Sequence, residues 1–260
     1  MWDNKLLGVS ATGLFFLSLD WGLRLGPSGR TLLRILRKNS ADLSPSKRRQ
    51  LLHHAATKIA GHVHNMVALP LAFYLLLFEP ALREDPFYAS TPLAYRLVVW
   101  SAGYFVHDVV NVVSNYDLEG FGFLVHSFFC CALFCYGVFT MQCQYFGASF
   151  LTWEFSTPFV HLRWFLFEMG LKDSRLYFYN GLAMIASFFA ARNVLGLYFS
   201  YVFWAASELE LGSPRPGGFP AWGVHSFRAA NVCLNLLNAF WLFKMLTKAA
   251  KALRGSDKDD

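Results

Sequence analysis

The sequence predicts an all-α polytopic transmembrane helical bundle of about seven spans, and three observations carry that expectation. Hydrophobic residues make up 55% of the chain and charged residues only 15%, where a soluble domain carries roughly 25% charged. The apolar residues come in blocks, each close to the ~20 residues that cross a bilayer. Ionisable and amide side chains lie inside those blocks, which costs about 3 kcal/mol or more unless they face a protein-lined or wet cavity.

The first block, Leu6–Leu25, has no basic flank beyond Lys5 and carries Asp20 and Trp21 where a cleavage site would fall. It therefore reads as a span and not as a cleavable signal. The segment after it holds Arg30, Arg34, Arg37, Lys38, Lys47, Arg48 and Arg49, with Arg24 and Lys58 at its edges. Leu32, Leu33, Ile35 and Leu36 interleave with those charges, which suits a short helix lying on an anionic leaflet. The alternative is a solvated loop that only orients the chain. The remaining spans are Ile59–Phe78, Ala94–Ser114, Gly120–Phe139, Tyr145–Val160, Leu176–Ala206 and Ala221–Leu246. The fifth is short, and Pro158 near its end suggests a kinked or re-entrant segment. The sixth is longer than a bilayer is thick and should tilt or protrude. Gly212–Pro220 is a Pro/Gly-rich loop, and the tail, residues 249–260, is expected to be polar and disordered.

The net charge of +6 is placed unevenly. Lys244, Lys248, Lys251 and Arg254 make the C-terminal region basic, whereas the loops at Glu79–Asp85 and Glu208–Leu211 are acidic. The positive-inside rule puts the basic loop and the C-terminus in the cytosol and the N-terminus opposite, which seven spans satisfy. Juxtamembrane charge of this kind argues against nucleic-acid binding. The five cysteines give neither a disulfide framework nor a metal-ligand spacing, and no cofactor motif is present.

Polar stripes mark three helices. Lys58, His62 and Asn65 share one face of the second span, with His64 pointing elsewhere. Tyr104, His107, Asn111 and Ser114 share a face of the third, with Asp108 beside it. Arg228, Asn231, Asn235 and Asn238 follow helical spacing in the seventh, where interhelical hydrogen bonding is the simplest role. Together the stripes suggest a common interior. Glu154 needs a partner at depth, because an unpaired carboxylate there would protonate; Arg192 is the first candidate and Arg163 the second. His126 stands alone on a very apolar helix.

The stretch EFSTPFVHLRWFLFEMGL, followed by YNGLAMIASFFAAR, resembles the TLC-domain membrane proteins, the superfamily that includes the ceramide synthases. GYFVHDVV, LEGFGFLVH and NLLNAFWLFKM are similar to neighbouring helices of its smaller, non-ceramide-synthase branch. The resemblance divides the chain into a first helix plus basic loop (1–58), a TLC domain (59–248) and the tail. It implies an endoplasmic-reticulum protein whose helices two to seven form a barrel around a lipid-accessible cavity. Asn111, Glu154, Arg192, Asn231 and Asn235 are the expected cavity lining. The expected function is binding of membrane lipid and an influence on lipid homeostasis, with membrane lipids as partners. An acyl-CoA-dependent N-acyltransferase is the alternative, with His126 as the catalytic residue and His107 or Asp108 assisting. Against it, ceramide synthases carry adjacent histidines where this chain has His126 followed by Ser127. A third reading is a trafficking partner or cargo adaptor acting through the cytosolic face.

Overall fold

The computed structural model describes residues 2–38 and 40–253 and is helical throughout, with no strand among them. Its helices are α1 (Trp2–Arg24), α2 (Gly26–Ile35), α3 (Pro45–Phe78), α4 (Pro80–Glu84), α5 (Pro92–Ser114), α6 (Tyr116–Thr140), α7 (Gln144–Leu151), α8 (Thr157–Glu168), α9 (Arg175–Phe188), α10 (Gly196–Gly212) and α11 (Ala221–Leu253). A 3-10 turn, Thr152–Ser156, joins α7 to α8, and a π turn, Phe189–Leu195, joins α9 to α10. The part of the expected disordered tail beyond residue 253 lies outside the described residues.

Among the described residues, six helices are long and apolar enough to cross a membrane: Asn4–Arg24, Pro45–Phe78, Pro92–Ser114, Tyr116–Thr140, Arg175–Gly212 and Ala221–Lys251. The seventh expected span is the broken unit α7–α8. The Cys143 N–H donates to Phe87 O at 2.8 Å, beside the α4–α5 loop, so α7 starts at one end of the bundle. Glu168 ends α8 within 3.9 Å of the Lys38 ammonium, at the other end. The unit therefore traverses the whole bundle and is not re-entrant. Pro158 does not kink it. It occupies the first turn of α8, where its missing N–H costs nothing, and the break falls upstream in the 3-10 turn.

The basic segment departs further from expectation. Ser44 caps α3 by accepting from the Lys47 N–H at 3.2 Å, and Pro45 follows, so α3 starts well before Ile59. Helix α2 is amphipathic, but its apolar face does not lie on a leaflet. Leu32, Leu33 and Leu36 are buried against Leu51, Leu52 and Ala55 of α3. Ile35 alone of the four interleaved residues stays exposed.

These connections define a basic end, where α1 finishes and α3 begins, and an acidic end, where α3 finishes and α5 begins. At the acidic end Arg215 pairs with Asp85 at 2.7 Å, and the Tyr88 hydroxyl donates to Glu210 while accepting from the Phe219 N–H at 2.8 Å. Burial, helped by the Glu210 carboxylate, raises the Tyr88 phenol above its usual range. Phe121, Leu197, Leu236 and Phe243 point outward, the last 68% exposed, as expected of surfaces that meet lipid tails. The inward core lies chiefly between α3, α5, α6 and α7.

Candidate functional site

Two adjoining cavities occupy the centre of the bundle and share Phe105, His126 and Glu154 in their walls. The lobe toward the acidic end, about 70 Å³, is lined mainly by Phe134, Phe146, Phe150, Phe203, Phe227 and Leu234. The lobe toward the basic end, about 360 Å³, is lined by Lys58, Asp108, Glu119, His161, Arg192 and Lys244 among others. The interior is therefore apolar at one end and charged at the other.

Two irregular turns build the junction. The 3-10 turn presents Glu154, and the π turn presents Arg192, a local geometry that often marks functional positions. Arg192 Nη2 reaches Glu154 Oε1 at 3.5 Å and donates to Thr157 Oγ1 at 3.1 Å. Its Nε donates to Ser156 Oγ at 3.1 Å and its Nη1 to Asn238 Oδ1 at 3.3 Å. Thr157 in turn donates to Glu154 Oε2 at 2.7 Å. The Glu154–Arg192 pair is thus part of a clamp joining α8, the π turn and α11. Arg163, the second candidate partner, is used elsewhere: it donates to Tyr177 O at 3.1 Å and lies over the Tyr177 ring.

His126 lines both lobes at the Glu154 level. Among the described residues its ring nitrogens meet only the Cys130 thiol, 3.8 Å from Nε2, and its ring stands 5.8 Å from Trp241. Its imidazole therefore faces the cavity without a strong hydrogen bond. Asp108 lines the polar lobe on the α5 wall, and among the described residues its carboxyl has no hydrogen-bond or ion-pair partner.

His107 is buried and differently employed. Its Nε2 takes a 2.6 Å hydrogen bond from Asn111 Nδ2, and Asn111 Oδ1 accepts from Arg24 Nη2 at 2.7 Å. Arg24 is paired with the buried Asp20, so the His107–Asn111 edge of the lobe is tied to α1. His64 is fully occupied: it bonds Asn65 and Ser101, each at 3.0 Å, and stacks on Tyr104 at 4.2 Å.

Asn231 and Asn235 of the α11 stripe make the interhelical hydrogen bonds expected of them. Asn231 lines the apolar lobe but spends its amide on Ser200 at 2.9 Å and accepts from Trp204 at 3.2 Å. Asn235 lines neither lobe and donates to the same Ser200 at 2.9 Å. Arg228 donates to Ser207 at 2.8 Å. Ser200, Trp204 and Ser207 are spaced one turn apart on α10, so they satisfy Arg228, Asn231 and Asn235 along a helix–helix seam, while Asn238 serves Arg192. Ser114 is exposed and does not extend the α5 face into the lobe.

Several lining residues were not singled out from the sequence. Thr157 and His161 follow Glu154 at helical spacing, and His161 packs on His62 with rings 5.0 Å apart. The α3 backbone passes so close here that a Cβ on Gly61 would sit 3.1 Å from the His161 ring. Trp241 and Lys244 of α11 complete the wall. The i, i+3, i+7 pattern of Glu154, Thr157 and His161 runs across the end of the expected fifth span at Val160, which separates His161 from the other two. The five cysteines are free thiols in the structure. A group of ligand-type side chains does converge elsewhere: His53, His54 and Glu119, at the basic end.

Residues 49–247 match the family model described as TLC domain. The chain is 29% identical to an uncharacterized TLC domain-containing protein of Schizosaccharomyces pombe, over 83% of this chain and 76% of that one. It is 31% identical to TLC domain-containing protein 4 of Xenopus tropicalis, over 73% and 72%. It is 28% identical to topoisomerase I damage affected protein 4 of Saccharomyces cerevisiae, over 76% and 68%.

Proposed function

This chain belongs to the TLC-domain family, and from that premise we propose that it holds a membrane lipid in its two-lobed cavity and influences the lipid composition of its membrane. The observation that carries the reading is the division of the interior. An apolar lobe walled by phenylalanines continues into a lobe lined by Lys58, Asp108, His161 and Lys244, which matches the two ends of an amphiphile. The charge asymmetry favours an orientation with the basic end in the cytosol, and the endoplasmic reticulum is the membrane that the family resemblance implies.

Mass spectrometry of the intact protein released from nanodiscs tests this. One retained lipid per chain is expected, and Leu234→Trp, which fills the apolar lobe, is expected to lose it while still eluting as a folded species. Wild-type protein that carries no lipid above the level of Leu234→Trp overturns the proposal.

A second reading, acyl transfer from acyl-CoA, is favoured by one observation: His126 presents a weakly bonded imidazole where the lobes meet. Asparagine keeps some polarity but cannot relay a proton. His126→Asn is expected to leave expression and lipid retention intact, and wild-type protein is expected to release no CoA from acyl-CoA. CoA release that disappears in His126→Asn would promote the enzyme.

A further inference from the structure

We propose that His53, His54 and Glu119 form a zinc-binding site that pins α3 to the start of α6. This inference is independent of the lipid reading.

The three side chains are brought together by two local devices. Consecutive residues on a helix point about 100° apart, so His53 and His54 frame a gap on the α3 surface. The α6 backbone leaves helical geometry at Gly120, with φ 78°, a value glycine adopts without Cβ strain. That turn aims Glu119 into the gap. Its Oε1 lies 2.6 Å from His53 Nε2 and 3.5 Å from His54 Nδ1, and all three ligand atoms fall within 4.8 Å of one another.

Hydrogen bonding alone leaves this arrangement half used. One proton can serve the short His53–Glu119 contact, but 3.5 Å is too long for His54 to share it. A proton on His53 Nε2 settles that contact, but it leaves the His54 Nδ1 lone pair or N–H aimed at the same carboxylate oxygen without a hydrogen bond of normal length, a place a cation could fill. Zn²⁺ takes imidazole nitrogen and carboxylate oxygen at about 2.0–2.2 Å, which sets tetrahedral ligand atoms about 3.3 Å apart. The 2.6 and 3.5 Å separations bracket that spacing, and the third, between the two imidazole nitrogens, is within 4.8 Å. Two imidazoles and one carboxylate suit zinc better than calcium or magnesium, which prefer all-oxygen shells.

The surroundings fit a bound cation. Arg49, one turn before His53, is neutralised by Asp117 at 3.0 Å, and Arg24 by Asp20, so these neighbouring cations are already paired. Trp164 of α8 packs beside His54, with rings 6.1 Å apart, and limits its swing. Glu119 also lines the polar lobe, so water has access from the cavity as a fourth ligand.

The full chain, purified through a tag without histidines and without chelator, is assayed for metal by mass spectrometry. About one zinc per chain is expected in wild-type protein. Glu119→Gln and His54→Gln are expected to fall to background while eluting as the wild type does. Should a variant fail to fold, cobalt substitution of the wild-type protein decides the matter. Visible d–d bands without a thiolate charge-transfer band support the site; a thiolate band would place the ion at a cysteine and overturn it. Wild-type protein with no zinc above background, or zinc undiminished in both variants, overturns it as well.

Discussion

Arg192 distributes its guanidinium over Ser156, Asn238, Thr157 and Glu154, so its charge is balanced by one carboxylate and steadied by three neutral acceptors. Removing one member of a buried pair strands the other, at a cost of about 3–5 kcal/mol. Glu154→Ala is accordingly expected to lower the thermal midpoint in detergent markedly. The double exchange Glu154→Arg with Arg192→Glu is expected to recover only part of that loss, because the three neutral contacts do not transfer. A double exchange no more stable than either single change would show that the two residues are not coupled. The pair itself was legible in the sequence, since two isolated ionisable residues in separate apolar runs need each other. The roles of the histidines were not. His64, His107 and His126 all sit in apolar helices, yet only the fold separates a satisfied ring, a ring held by Asn111 and a ring facing the cavity.

Helix existence could be read from hydropathy, but the fifth span could not be drawn from it. Proline signalled an irregularity and pointed to the wrong place: Pro158 starts α8, and the turn that breaks the span is Thr152–Ser156, where the sequence holds no breaker. The traversal of α7–α8 gives a direct expectation. Single cysteines at Gln142 and Lys172, in a background without other thiols, are expected to react with impermeant reagent from opposite sides of sealed vesicles; labelling from one side would make the segment re-entrant. The docking of α2 was equally hidden. Amphipathicity shows that a helix has an apolar face but not whether lipid or protein covers it, and Leu33, 1% exposed, is covered by protein. Leu33→Asp is therefore expected to destabilise the whole protein by about 2 kcal/mol or more, through an unpaired buried charge, and not merely to weaken vesicle binding. Gly120→Ala places a Cβ at φ 78°, ψ −179°, a region open essentially to glycine alone, and is expected to cost about 1–3 kcal/mol, read as a lower thermal midpoint.

Charge placement orders the molecule end to end. The arginines around α2, the start of α3 and the Lys244 turn of α11 share one end, and the Asp85–Arg215 pair and the Glu210 carboxylate share the other. Labelling is expected to find Arg48 and Lys248 on the same side of the membrane, opposite Arg215; any other pattern changes the span count by one. This much was present in the sequence, because the Lys/Arg bias acts segment by segment and needs no packing. The lobes themselves depend on how α3, α5, α6, α8 and α11 meet, and no single segment encodes that. Their stacking along the membrane normal carries one more consequence. An amphiphile with its head among Lys58 and Lys244 and its tail among Phe146 and Phe203 lies the same way up as a lipid of the leaflet at the basic end. It can be exchanged with that leaflet without turning over, whereas a lipid from the far leaflet must invert before it fits. If the cavity holds lipid as proposed, a labelled lipid confined to one monolayer is expected to load from the basic side and to remain unbound when supplied from the other.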